Sequence, residues 1–167
     1  MRFPDAEALL AELKARMIPH IGPATALVGI HTGGVWLAQR LHRELGIETP
    51  LGSLDVTFYR DDFGKIGLHP DARPSAIPFD VEGRDIILID DVLYTGRTIR
   101  AAMNELFDFG RPQSIRLAVL IDRRSRELPI SAQFVGATLS VPQDEMLVLE
   151  QGPAGRLDLN LQKKKQR

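Results

Sequence analysis

The chain contains no cysteine. Disulfides, thiolate metal ligands and cysteine nucleophiles are thereby excluded, and stability has to come from a buried core. Aromatic residues are scarce, with one Trp, two Tyr and seven Phe among 167 residues. No stretch reads as a membrane span or as the apolar region of a signal peptide, so a cytoplasmic protein is expected. Neither sign of charge dominates. The 21 Lys plus Arg against 22 Asp plus Glu leave a formal net charge of −1, so no global positive field draws in nucleic acid, and RNA or DNA binding would need a local basic patch. Two nucleotide-binding motifs are also missing. Neither G-x-x-x-x-G-K-[ST] nor G-x-G-x-x-G occurs, which removes the P-loop and dinucleotide-binding readings.

What is present is the pattern of a single α/β domain over residues 1–167, with its core at about 24–150 and no internal repeat or Gly/Ser linker. A first helix is expected from Pro4 and Asp5, with Leu9, Leu10, Leu13 and Met17 on one face and Pro19 at its end. Ala26 to Ile30 reads as a buried strand, "HTGG" as a loop and Val35 to Leu45 as a helix closed by Gly46, with Trp36 in the core. Leu54, Val56 and Phe58 alternate with polar residues as in a two-faced strand. A long segment at about 61–83 has little apolar periodicity and is expected to be a flexible loop of functional use. Ile86 to Ile89 is a strand buried on both faces, with Asp90 and Asp91 where it leaves the sheet. A helix over Thr98 to Phe109, a strand over Ser114 to Ile121 and shorter strands near Phe134, Leu139 and Met146 to Leu149 follow. Alternation of this kind gives a mainly parallel sheet flanked by helices, with ligands outside the carboxyl ends of the strands. "HTGG", "DDVLYTGRT" and "DRRSRELP" all follow such ends. The last residues, about 156–167 and ending in "KKKQR", are expected to be a mobile tail.

Chemistry concentrates in "IILIDDVLYTGRT", Ile86 to Thr98. Thr95, Gly96, Arg97 and Thr98 lie where a helix begins, so unpaired backbone N–H groups and the helix dipole favour an anion there. Gly96 lets the backbone approach a phosphate, and the two hydroxyls add donors. Equally, Thr98 is an N-cap and Gly96 a turn residue. Asp90 and Asp91 need a partner for their charge, either a metal, hydroxyl donors or basic side chains, unless they form a solvated acidic turn. His20, His42 and His69 have no metal-ligand spacing.

This stretch resembles the phosphoribosyl pyrophosphate (PRPP) signature of type I phosphoribosyltransferases, four apolar residues, two acidic ones and a T-G-x-T turn. "VTFYRDD" at Val56 to Asp62, "FGRPQSIRLAVLIDR" at Phe109 to Arg123 and "RELPI" at Arg126 to Ile130 narrow the likeness to the PyrR family, pyrimidine operon regulators that are also uracil phosphoribosyltransferases. The resemblance implies the type I fold with a small hood and a flexible loop, and transfer of ribose 5-phosphate from PRPP to uracil, giving UMP and pyrophosphate, with Mg²⁺ carried mainly by PRPP. It also implies sensing of UMP or UTP and assembly as a homodimer or larger oligomer. By the same resemblance, Asp90 and Asp91 hold the ribose hydroxyls, Thr95, Gly96, Arg97 and Thr98 hold the 5-phosphate, and Val92, Leu93 and Tyr94 between them are substrate-binding residues. Thr32, Gly33 and Gly34 bind pyrophosphate, Arg60 closes over it, and uracil lies near Asp122 and Arg123. A structural ion pair would explain Asp122 and Arg123 equally well.

Two departures stand against full function. Family members read "TRG" where this chain has Thr32-Gly33-Gly34, so a cation is missing from the pyrophosphate loop and His31 replaces it only in part. Glu12, Ser131 and Ala137 stand where RNA-binding members carry basic side chains, leaving Arg116, Arg123, Arg124 and Arg126 as a candidate patch for pyr messenger RNA. Three readings follow: the enzyme, a nucleotide-binding regulator with weak or no catalysis, and a transferase for another base.

Overall fold

Strands that are apolar at every position need helices on both faces, and the fold supplies them. The computed structural model describes residues 3–56 and 75–165. In it β1 (Thr25–Ile30) is buried along its whole length, as is β3 (Asp85–Leu93) from Ile86 to Asp90. Alternate side chains of these strands divide between two cores. Leu27, Ile87 and Ile89 cluster with Leu13 of α1 (Ala6–Met17) and with Leu37 and Leu41 of α2 (Gly33–Glu44). Val28, Ile86 and Leu88 cluster with Ile99, Ala102 and Leu106 of α3 (Arg97–Phe107). Each such Leu or Ile contributes roughly 1.5–3 kcal/mol when fully buried.

With β2 (Gly52–Leu54), β4 (Ser114–Asp122) and β5 (Phe134–Thr138) the sheet has five strands, all parallel, in the order β2-β1-β3-β4-β5. The α2 crossover covers one face and α3 the other, so the chain winds away in opposite directions from β1 and β3. That switch point, outside their carboxyl ends, is where open sheets bind ligands.

Several expectations change. The strand expected to end at Ile89 runs on through Asp90 and Asp91, because β4 continues beside it and pairs Asp90 with Val119 and Leu93 with Asp122. Loss of a ladder partner ends a strand; a carboxylate does not. The loop "HTGG" shrinks to two residues, since Gly33 and Gly34 open α2. Ser75 to Gly83, expected inside the flexible loop, are tied to the fold: Ala76 and Ser53 exchange N–H···O bonds of 2.8 Å, and Val81 is buried. Trp36, expected in the core, is only half-buried on α2. Leu139 starts no strand of its own, and its N–H donates to the Asp122 carbonyl just beyond β5.

The expected tail is in large part a strand. β7 (Leu157–Lys163) pairs antiparallel with β6 (Glu145–Gln151), and Leu147, Leu149 and Leu157 join the α1–α2 core. Its other end is fastened at Lys164, whose N–H donates to the Asp144 carbonyl. No helix among the described residues is long and apolar enough to cross a membrane.

Candidate functional site

The end of β3 and the start of α2 meet at the switch point. Asp90 is 3% exposed, and its Oδ1 accepts the Asp91 N–H at 2.9 Å. Asp91 is half-buried, with Oδ1 accepting the Val92 N–H at 2.9 Å. Its Oδ2 lies over Gly33, only 2.5 Å from where a Cβ on that residue would stand. A Cβ on Gly34 would collide with the Ile89 carbonyl oxygen. Two side-chain-free residues thus let the helix begin against the strand end. Thr32 is exposed at the N-cap without a capping side-chain bond, after a cis His31–Thr32 peptide. Thr32, Gly33 and Gly34 are therefore brought to Asp90 and Asp91.

The turn Thr95–Thr98 follows the same strand end, between β3 and α3. Gly96, not Thr98, is the N-cap of α3, with φ of 96°, a left-handed conformation that favours glycine. A Cβ there would also come within 3.0 Å of Ile130 Cγ1. The first main-chain bond of the helix runs from Arg100 N–H to the Gly96 carbonyl at 3.0 Å, and Thr95 Oγ1 accepts the Arg97 N–H at 3.2 Å. N–H groups of Thr98 and Ile99 belong to the first turn, which has no carbonyl within the helix to bond. Thr98 stands half-buried in that turn, while the exposed Arg97 reaches Glu127 Oε2 at 3.1 Å. Of the residues between, Leu93 is buried in the α3 core and Val92 packs on the opposite one, so only their main chain faces the turn's path.

The loop after β4 grips this turn. Arg126 donates to the Tyr94 carbonyl at 3.0 Å, to the Ile130 carbonyl at 2.8 Å and to Asp122 Oδ2 at 2.7 Å. The Thr95 carbonyl accepts from the N–H groups of Glu127 and Leu128. Arg123 is 5% exposed; its guanidinium lies 3.9 Å from the Tyr94 ring centroid and donates to the carbonyls of Val141, Pro142 and Glu145. Lys164 Nζ lies 5.5 Å from the same ring. Asp122 and Arg123 are thus brought to the site, but their side chains have internal partners. The ion pair of Asp122 is with Arg126, not with Arg123. Burial alone would raise the Asp122 carboxyl; the Arg126 bond and the Arg124 N–H outweigh it and hold it below its ordinary value.

The four-arginine patch does not assemble. Arg123 is buried, Arg126 has its three acceptors, and Arg116 is seven residues before Arg123 along an extended strand, roughly 20 Å away. Arg124 alone of the four is exposed. Glu12 is paired with Arg16 at 3.0 Å. Arg60 lies outside the described residues. The clamp roles of Arg126 and Lys164 were missed in the sequence; the Asp122–Arg126 spacing of four was the one available signal for the first.

A family model described as "Phosphoribosyl transferase domain" matches residues 5–145. "Bifunctional protein PyrR" of Pseudomonas aeruginosa is 52% identical over 158 residues, covering 92% of each chain. The protein of the same name from Pseudomonas fluorescens is 51% identical over 166 residues, covering 97% of this chain and 98% of its own. Among solved structures, a hypoxanthine phosphoribosyltransferase from Staphylococcus aureus superposes with a TM-score of 0.64 at 23% identity, over 86% of this chain and 77% of that one. A hypoxanthine-guanine phosphoribosyltransferase from Bacillus anthracis gives 0.63 at 19% identity, over 89% and 88%. At these identities the two structures speak for the fold alone.

Proposed function

The chain belongs to the phosphoribosyl transferase domain family and, within it, to the PyrR proteins, and on that premise we propose that it transfers ribose 5-phosphate from PRPP to uracil and senses uridine nucleotides in the same site as a pyrimidine operon regulator. The observation that carries this reading is the meeting of a carboxylate pair, a glycine-opened helix start and a second helix start at one switch point. Asp90 and Asp91 face the ribose hydroxyls, and their charge stabilises the ribosyl cation that develops as uracil N1 approaches C1 and pyrophosphate departs. Thr95 to Thr98 hold the 5-phosphate through first-turn N–H groups and hydroxyls. Thr32 to Gly34 take the pyrophosphate, and Arg60 closes over it, excluding water that would hydrolyse PRPP. Uracil lies beside the loop after β4, read by main-chain groups because the Asp122 and Arg123 side chains are engaged internally.

No group of three or more His, Asp or Glu among the described residues converges to hold a metal. The donor set fits an ion carried by PRPP's own oxygens beside Asp91. When bound, Mg²⁺ neutralises the leaving pyrophosphate. Homo-oligomeric assembly belongs to the same reading and is checked by sedimentation. A gel shift with a pyr leader transcript checks messenger RNA as the regulatory partner, and a UMP-insensitive result removes it.

The enzyme reading is tested with labelled uracil, PRPP and Mg²⁺. UMP should form, and Asp90→Asn with Asp91→Asn should abolish it. Thermal protection by UMP without any turnover would leave the nucleotide-sensing regulator and remove the enzyme.

A further inference from the structure

At the far end of the β6–β7 hairpin from Tyr94 lies a cleft of about 470 Å³, lined by Trp36, Arg40 and Arg43 of α2, by Glu7 of α1, and by Gln151 and Arg156 of the hairpin turn, among others. Its size is that of a small-molecule site. Seven residues of extended strand separate it from the residues beside Tyr94, roughly 20 Å. We propose that this cleft is a second site for a nucleoside phosphate, separate from the signature loop and independent of the function proposed above.

Trp36, Arg40 and Arg43 stand at i, i+4 and i+7, one face of α2. The floor is pre-built. Glu7 takes both Arg40 amino groups, at 3.1 and 2.9 Å, and its Oε1 also accepts the Leu157 N–H at 3.0 Å, which fixes α1, α2 and the hairpin to one another. Arg40 is therefore committed. Arg43 is exposed and forms no ion pair among the described residues, and Arg156 has only Asp158 at 3.9 Å. Two cations beside an indole and two glutamine amides suit a ligand with a phosphate, a flat ring and polar ring edges. The guanidinium groups take the phosphate, and the indole stacks on the base. With Glu7 and Glu44 on Arg40 and Asp158 3.9 Å from Arg156, the guanidinium without a carboxylate partner among the described residues is that of Arg43, which a phosphate neutralises.

Trp36 is the sole tryptophan; its emission reports on the cleft, and because it stands one turn after Gly33, the Arg43 and Arg156 variants are what assign a response to the cleft. The test titrates the protein with UMP and with inorganic phosphate, following Trp36 fluorescence, and repeats both with Arg43→Ala and with Arg156→Ala, two exposed residues. UMP should shift the emission to saturation, each substitution should raise the midpoint at least about tenfold, and inorganic phosphate, lacking a ring, should need far higher concentrations. No response to UMP would overturn the proposal. So would a response whose midpoint both variants leave in place, since it would come from the signature loop. An equal midpoint for inorganic phosphate would reduce the cleft to an unspecific anion trap and also overturn it.

Discussion

Asp122 and Arg123 are neighbours in sequence with opposite surroundings, and the reason is local backbone. Arg124 and Ser125 follow with φ of 64° and 63°, two successive left-handed residues. The reversal sends Arg123 inward to Tyr94 and returns Arg126 to Asp122. Residue type alone does not say which of three arginines turns inward, so the clamp was not legible, whereas the Asp90-Asp91 pair was, being adjacent letters at the end of an apolar run. The depressed Asp122 carboxyl has a consequence for pH. A group whose folded value is lowered contributes stability above its unfolded value, about 3.9, and that contribution is lost as pH falls through the folded value. Asp122→Asn should therefore cost about 1–3 kcal/mol at neutral pH, with the gap to the natural chain narrowing as pH falls through the lowered folded value of Asp122; urea unfolding across pH measures both. Arg123→Lys should fail to restore what Arg123→Ala loses, because an ammonium neither stacks flat on Tyr94 nor reaches three carbonyls at once. Equal melting temperatures for Arg123→Lys and the natural chain would refute that role.

Two glycines at the head of α2 look alike in the sequence and differ in what they touch. A side chain on Gly34 meets the Ile89 carbonyl, main chain of the central sheet, and something must shift. Gly34→Ala should lower stability by about 1–3 kcal/mol. A side chain on Gly33 meets the Asp91 side chain, with Oδ2 at 2.5 Å, Cγ at 2.9 Å and Cβ at 3.2 Å, so that side chain has to move. Gly33→Ala should cost less stability than Gly34→Ala, since a side chain and not the main chain gives way, and UMP formation should persist, because the resembled family carries an arginine, with its Cβ, at this place. Parallel melts and turnover assays separate the two, and loss of turnover in Gly33→Ala would show that Asp91 has to stay where it lies. At this scale the order of strands and helices was readable from apolar runs and punctuation. The strand's continuation past Ile89 was not, because it depends on the length of β4, a neighbour thirty residues further along the chain.

The molecule is closed by its last strand, which the sequence hid in plain view. Leu157, Leu159 and Leu161 alternate with Asp158, Asn160 and Gln162, a period of two, but the lysines that follow gave the segment the look of a solvated end. Leu157 is fully buried. Deleting residues 157–165 removes it and uncovers Leu147 and Leu149, each worth roughly 1.5–3 kcal/mol. Against a total stability of about 5–15 kcal/mol, the truncated chain should lack a cooperative thermal transition, and a near-natural melt by circular dichroism would contradict the packing described. The bond from Leu157 N–H to Glu7 also spans 150 residues. On a ribosome adding about 5–20 residues per second, the partner of Glu7 is made roughly eight to thirty seconds after Glu7 itself. A helix of twelve residues is marginal by itself in water, so α1, made long before β7, is among the last elements to find its final contacts. During that interval its apolar face lacks the cover of Leu157 and is a natural target for a chaperone or a protease.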